Sequence, residues 1–176
     1  GWYVFIGMFV TSLAFIILLI WFLNRVAYMQ YIPADHVHDL SILLFAFSIF
    51  WAYLWFSQYL LIWYGHIPEE TTYFIQRLEN FRPIFFINPC LNFIIPFFTL
   101  ISLRSKRNLD WVAIIASIVL AGHWIDYYQM IMPAAAGDSS GIGVLEVSLT
   151  IFYAAMFIFV VFRSLSNGPL IVKNDP

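Results

Sequence analysis

The chain has 176 residues, of which 62% are hydrophobic, 20% aromatic and only 10% charged, where a soluble domain is about 45–50% apolar and about 25% charged. Eight basic and ten acidic residues give a formal net charge of −2, too small and too mixed for a nucleic-acid binder. A single cysteine, Cys90, excludes an intrachain disulfide framework, an iron–sulfur cluster held by this chain alone and a CxxCH haem attachment. The composition is that of an integral membrane protein.

A helix of about 20 apolar residues crosses a bilayer. Five runs qualify: Trp2–Leu23, Leu40–Gly65, Ile84–Leu103, Trp111–Met132 and Ile142–Leu165. They are too long for barrel strands, and helices satisfy their own backbone in lipid. The expectation is an all-α integral membrane protein with five transmembrane helices in one helical unit, 1–176. The first run starts at Trp2 with no basic segment or cleavage site before it, so the chain reads as a fragment of a longer subunit that has lost its true N-terminus. Between the second and third runs, Glu69 to Asn80 is too polar to span. It predicts a short surface helix with Tyr73, Phe74 and Leu78 towards lipid or protein and Arg77 and Glu79 towards water. Basic residues outside the spans divide unevenly: Arg25, Arg104, Lys106, Arg107, Arg163 and Lys173 on one side, Arg77 and Arg82 on the other. That bias predicts a cytoplasmic C-terminus. Trp2, Trp63, Tyr64, Tyr127 and Tyr128 then lie towards the outer headgroups.

Ionisable and polar groups within spans carry the functional signal. Ser41, Ser48, Trp51, Trp55, Gln58, Tyr59 and His66 form one stripe of the second helix that should face the bundle. Gln58 and Tyr59 offer hydrogen bonds at mid-to-outer depth, whereas Ser41, Ser48 and Trp51 read as interhelical packing. On the third helix Asn88, Asn92, Thr99 and Ser102 share a side with Pro89 and Pro96. Each proline frees a carbonyl one turn earlier, those of Phe85 and Asn92, which predicts a wet seam or simply an architectural kink. The fourth helix places His123, Asp126, Tyr127 and Met130 on one face. His123 and Asp126, three apart, are spaced to hydrogen-bond along the helix and pass a proton, or to hold a quinone head group. The alternative is an interhelical polar clamp. Glu146, sharing a face with Thr150 and Tyr153, is either the exit of a proton path or a group snorkelling to the interface. His66 and His123 lie at different depths, which argues against a bis-histidine haem. His36 and His38, in the loop before the second helix, lack a third metal ligand.

The stretches His38-Asp39-Leu40, Phe50 to Tyr64, Ile67-Pro68-Glu69-Glu70-Thr71 and Gly122-His123-Trp124-Ile125-Asp126 resemble the ActF subunits of bacterial alternative complex III. The resemblance covers nearly the whole chain and the C-terminal part of the family. It implies the second four-helix bundle of an NrfD-like (polysulfide-reductase-like) fold plus one further helix. It also implies a redox-inert membrane subunit of a quinol:cytochrome c oxidoreductase, not catalytic alone, in the bacterial inner membrane. Menaquinol or ubiquinol is then the substrate of the complex, and no cofactor or metal is bound by this chain. Haem c and iron–sulfur clusters sit in partners: the paralogue ActC, an iron–sulfur subunit, multihaem c-type cytochromes and a terminal oxidase. Within that frame His123, Asp126, Tyr127 and Glu146 are candidates for a proton half-path, with Gln58, Tyr59 and His66 as further proton or quinone contacts. The competing readings are a secondary transporter, with the proline seam as a discontinuous substrate site, and a purely structural scaffold.

Overall fold

The computed structural model describes residues 1–26, 33–136 and 143–167, with side chains of 134–136 left aside. Among them are only helices and their connections: α1 (Trp2–Arg25), α2 (Ala34–Gly65), α3 (Pro68–Asn80), α4 (Arg82–Pro89), a π-helical turn (Cys90–Ile94), α5 (Ile95–Leu100), α6 (Leu103–Lys106), α7 (Leu109–Ala136) and α8 (Val144–Ser166). Five helical stretches are long and apolar enough to cross a membrane, with α4, the π turn and α5 counting together as Arg82–Leu100. The protein is an all-α membrane protein. The chain divides into two compact units, Gly1–Ser139 and Ser140–Pro176. Lys173 and residues 137–142, including the expected helix start Ile142, lie outside the described residues.

The first unit is a four-helix bundle with a surface helix. Helices α1, α2, α4–α5 and α7 contact one another in a ring. Neighbours run antiparallel, as paired contacts at both ends show. Tyr3 reaches Asp126 while Arg25 reaches Asp110; Phe45 stacks on Phe97 while Trp55 meets Phe85. Spacings of three and four residues produce the seam: Ile6, Val10, Leu13 and Ile17 on α1 meet Val112, Ile115, Ala116 and Val119 on α7, all buried, with Leu44, Trp51 and Leu100 closing the core.

Local signals explain where the elements begin and bend. Pro33 stands at the N-cap of α2 and Asp35 lies in its first turn, where a negative charge complements the helix dipole. The helix therefore starts six residues before the expected Leu40, and His36 and His38 are helical rather than in a loop. Two residues apart on a helix, they point to nearly opposite sides, so they do not make a chelating pair. At the other end His66 takes the left-handed conformation, φ 48°, and donates its N–H to the Ile62 carbonyl. Pro68 then opens α3 with Glu69 and Glu70 in the first turn. In the third span Pro89 and Pro96 flank the π turn, in which the Ile95 N–H reaches back to Cys90; proline and π turns are the usual causes of helix kinks. This span ends at Leu100, before the expected Leu103, and Ser102 turns extended to start α6.

Candidate functional site

Among the described residues, one carboxylate stands at the axis of the bundle. Asp126, 5% exposed on α7, accepts hydrogen bonds from all three other helices: from the Tyr3 hydroxyl of α1 at 2.6 Å, from Asn88 Nδ2 of α4 at 2.7 Å and from Trp51 Nε1 of α2 at 3.3 Å. Three donors converging on two oxygens suit a carboxylate, which only accepts. The network continues along the third span. Asn92 donates to the Asn88 Oδ1 at 2.6 Å, and Asn88 makes a longer contact with Gln129 Oε1 at 3.4 Å. Asn88 and Asn92 are both fully buried; four residues apart, they share one inner face of the span. The seam thus holds these two asparagines, while Thr99 returns its hydroxyl to the Ile95 carbonyl and Ser102 is exposed beyond the span.

His123 is also fully buried, but its hydrogen bond goes elsewhere. Its Nδ1 lies 3.1 Å from the Val119 carbonyl. A carbonyl only accepts, so Nδ1 carries the proton. Nε2 is buried without a partner, and the ring leans on Trp51 at 5.6 Å between centroids. The expected bond between His123 and Asp126 is absent: Nδ1 is taken by the i−4 carbonyl of its own helix and Nε2 has no partner. Tyr127 is half-buried with its hydroxyl 3.4 Å from the Val4 carbonyl. Both side chains pack at Gly7, where a Cβ would meet the Tyr127 hydroxyl at 2.9 Å and His123 Cδ2 at 3.5 Å.

Beside Asp126 lies a cavity of ≈ 20 Å³, room for about one water. Its polar wall comprises Tyr3, Gln58, Tyr73, Arg77, Asp126 and Gln129. Arg77 corrects an expectation. It is 4% exposed and points into the bundle, donating to the Tyr73 carbonyl at 2.6 Å and to the Met130 carbonyl at 3.1 Å, with its guanidinium 3.3 Å over the Tyr73 ring. Phe74, Arg77 and Phe81, all buried, follow one another at helical spacing, so the arginine sits on the apolar face of α3 rather than on the wet one. Pro133, inside α7, cannot bond the Gln129 carbonyl, and Arg77 supplies donors to the adjacent carbonyl. Burial lowers the Arg77 pKa, opposed by Tyr73, and it stays cationic at neutral pH. Burial also raises the pKa of the Tyr73 hydroxyl, against the charge of Arg77 and with that of Asp126.

The remaining sequence candidates are dispersed. Gln58 is exposed yet lines the cavity. Tyr59 belongs to an aromatic cluster with Trp55, Phe74 and Phe85. His66 is exposed at the end of α2. Tyr128 is buried between Phe81 and Trp124 rather than at an interface. Glu146 opens α8 of the second unit, its carbonyl accepting the Thr150 hydroxyl at 2.7 Å. Conversely, sequence reasoning missed Tyr3 and Arg77 and weighed Trp51 as packing. Its indole both packs on His123 and Tyr3 and donates to Asp126. Trp51→Phe should cost about 1–3 kcal/mol, from one lost donor and a partly filled site, read as a lower midpoint of thermal unfolding by helical circular dichroism. A midpoint equal to that of the parent would rule out the indole as a strut of this site.

Among the described residues no three or more His, Cys, Asp or Glu side chains are grouped to hold a metal ion. No protein-family model and no curated protein matches this chain.

Proposed function

We propose that the chain is the C-terminal part of an ActF-type subunit of bacterial alternative complex III, a redox-inert membrane component of a quinol-oxidising complex that contributes a proton half-path. In this reading α1, α2, α4–α5 and α7 are the second bundle of an NrfD-like fold and α8 the further helix. Its partners are an ActC paralogue, an iron–sulfur subunit, multihaem c-type cytochromes and a terminal oxidase, and the substrate of the complex is menaquinol or ubiquinol. The excess of Arg and Lys near one set of helix ends supports a cytoplasmic C-terminus, and the ActF reading implies a bacterial inner membrane.

One observation carries the proton role: a single carboxylate at the axis of a membrane bundle, next to a cavity the size of a water molecule. A buried intramembrane carboxylate is costly and marks a functional site by default. The geometry favours Asp126 with Tyr3 and the cavity as the working centre, rather than the run through His123 and Tyr127. Asp126→Asn in the intact complex is expected to lower protons moved per electron in liposomes while quinol oxidation partly survives. An unchanged proton yield overturns the role.

The same geometry favours one rival. Donors from three helices meeting on one acceptor are also what a structural clamp requires. On that reading Asp126→Asn weakens assembly and leaves the yield per electron intact, so the same measurement separates the two. Co-purification of stoichiometric haem c and an iron–sulfur protein with the chain tests the complex itself.

A further inference from the structure

Between the outer turns of α2 and α3 runs an open groove of ≈ 400 Å³ lined by Gln58, Leu61, Ile62, Glu70 and Tyr73. Gln58 and Tyr73 also wall the small cavity at Asp126. Groove and cavity thus share two lining side chains. The groove belongs to the interfacial end of the bundle: α2, at 32 residues, is longer than the hydrocarbon thickness requires, and α3 is amphipathic, with Glu69, Glu70 and Glu79 exposed.

The inner compartment is built for water. Arg77 Nε and Gln129 Nε2 are buried donors without a protein partner, and both residues line the cavity with the carboxylate of Asp126. A buried water is held by two to four polar groups, and this wall offers two donors and an acceptor. Charges alternate along the way, from Glu70 at the groove, past Arg77, to Asp126.

The geometry points to the groove between α2 and α3 as the aqueous entrance to the Asp126 site, with Gln58 and Tyr73 as the partition between groove and cavity. This rests on the proton-path reading above and replaces Glu146 with Glu70 as the outermost carboxylate of the route.

The test uses the full complex in native membranes with Cys90→Ser, so that these 176 residues carry one introduced cysteine at a time, and labelling is read on this subunit against the Cys90→Ser parent. Gln58→Cys is compared with Phe56→Cys, two residues away and at nearly the same depth but on the opposite side of α2. The cysteine thiolate attacks the sulfenyl sulfur of a charged, water-soluble methanethiosulfonate, forming a disulfide and releasing methanesulfinate, and thiolate forms readily only beside water. Gln58→Cys is expected to react at least about tenfold faster, the ratio for a thiol pKa one unit lower. Equal rates overturn the entrance. The proton yield of Asp126→Asn separates this from the broader reading. Fast labelling at Gln58→Cys with an unchanged yield leaves a water-filled groove but sinks the proton path. Slow labelling with a reduced yield keeps the path and removes this entrance. Where both hold, the bulky label on Gln58→Cys should depress the yield severalfold and that on Phe56→Cys should not; full yield after labelling Gln58→Cys also overturns the proposal.

Discussion

Replacing Asp126 with alanine is expected to destabilise the bundle by about 2–5 kcal/mol, one of the largest effects open to a single substitution in this chain. The change removes the acceptor shared by Tyr3, Trp51 and Asn88. Each orphaned buried donor costs about 1–3 kcal/mol in water-soluble proteins, but interhelical hydrogen bonds in membranes average only about 0.6 kcal/mol, which sets the lower end. Asp126→Asn keeps one oxygen and turns the other site into a donor facing donors, so it should cost less, about 1–2 kcal/mol. The origin of the loss is read from double-mutant cycles. Tyr3→Phe should destabilise the parent and add almost nothing once Asp126 is alanine. Additive costs would mean that the 2.6 Å contact contributes no coupling, and both the clamp and the proton centre would lose their basis. Stability also sets how the functional variant is judged. Only a fall in proton yield in a complex that assembles normally speaks for proton transfer.

The spans were legible because hydropathy and length are properties of contiguous sequence. All five expected runs correspond to helices, with differences at the ends where proline and serine act locally, as at Pro33 and Ser102. Asp126 was legible for the same reason, a charge inside an apolar run. Its partners were not, because they are set by which helix faces meet. Tyr3 lies 123 residues away in sequence, and an aromatic at the start of an apolar run looks like an interfacial anchor. Asn88 was noticed as part of a proline seam, yet only the antiparallel packing of α4 on α7 puts it opposite Asp126. Arg77 was misread in a more instructive way. Its charge suggested water, whereas its register, between Phe74 and Phe81, already placed it on the apolar face. Periodicity was the better guide there, since a guanidinium can be buried when carbonyls and an aromatic face receive it.

Gly122→Ala should be the other strongly destabilising change, although alanine is the better helix former by about 1 kcal/mol. Gly122 is buried on α7 one turn before Asp126, against Leu91 and Asn92 of the π turn. A Cβ there would stand 2.5 Å from Asn92 Oδ1 and 2.9 Å from both Asn92 Cγ and Leu91 Cβ. Asn92 has little room to yield, being fully buried and bound to Asn88, and the Cβ of Leu91 moves only with its backbone. The π turn must therefore retreat, drawing Asn88 away from Asp126. Overpacking of this kind costs about 1–3 kcal/mol, visible as a lower unfolding midpoint in detergent. Gly7→Ala provides the contrast: its new Cβ meets the end of the Tyr127 side chain, which swings aside, so the loss should be smaller. Adding Asn92→Ala to Gly122→Ala relieves most of the overlap, and the double variant should lose less than the sum of the singles. A neutral Gly122→Ala would mean that the two helices do not approach this closely, and the placement of Asn88 on Asp126 would fall with that contact. Gly122 is thus the residue that lets the proline-flanked π turn bring two amides to the bundle axis, and the carboxylate owes its setting to a missing side chain one turn away.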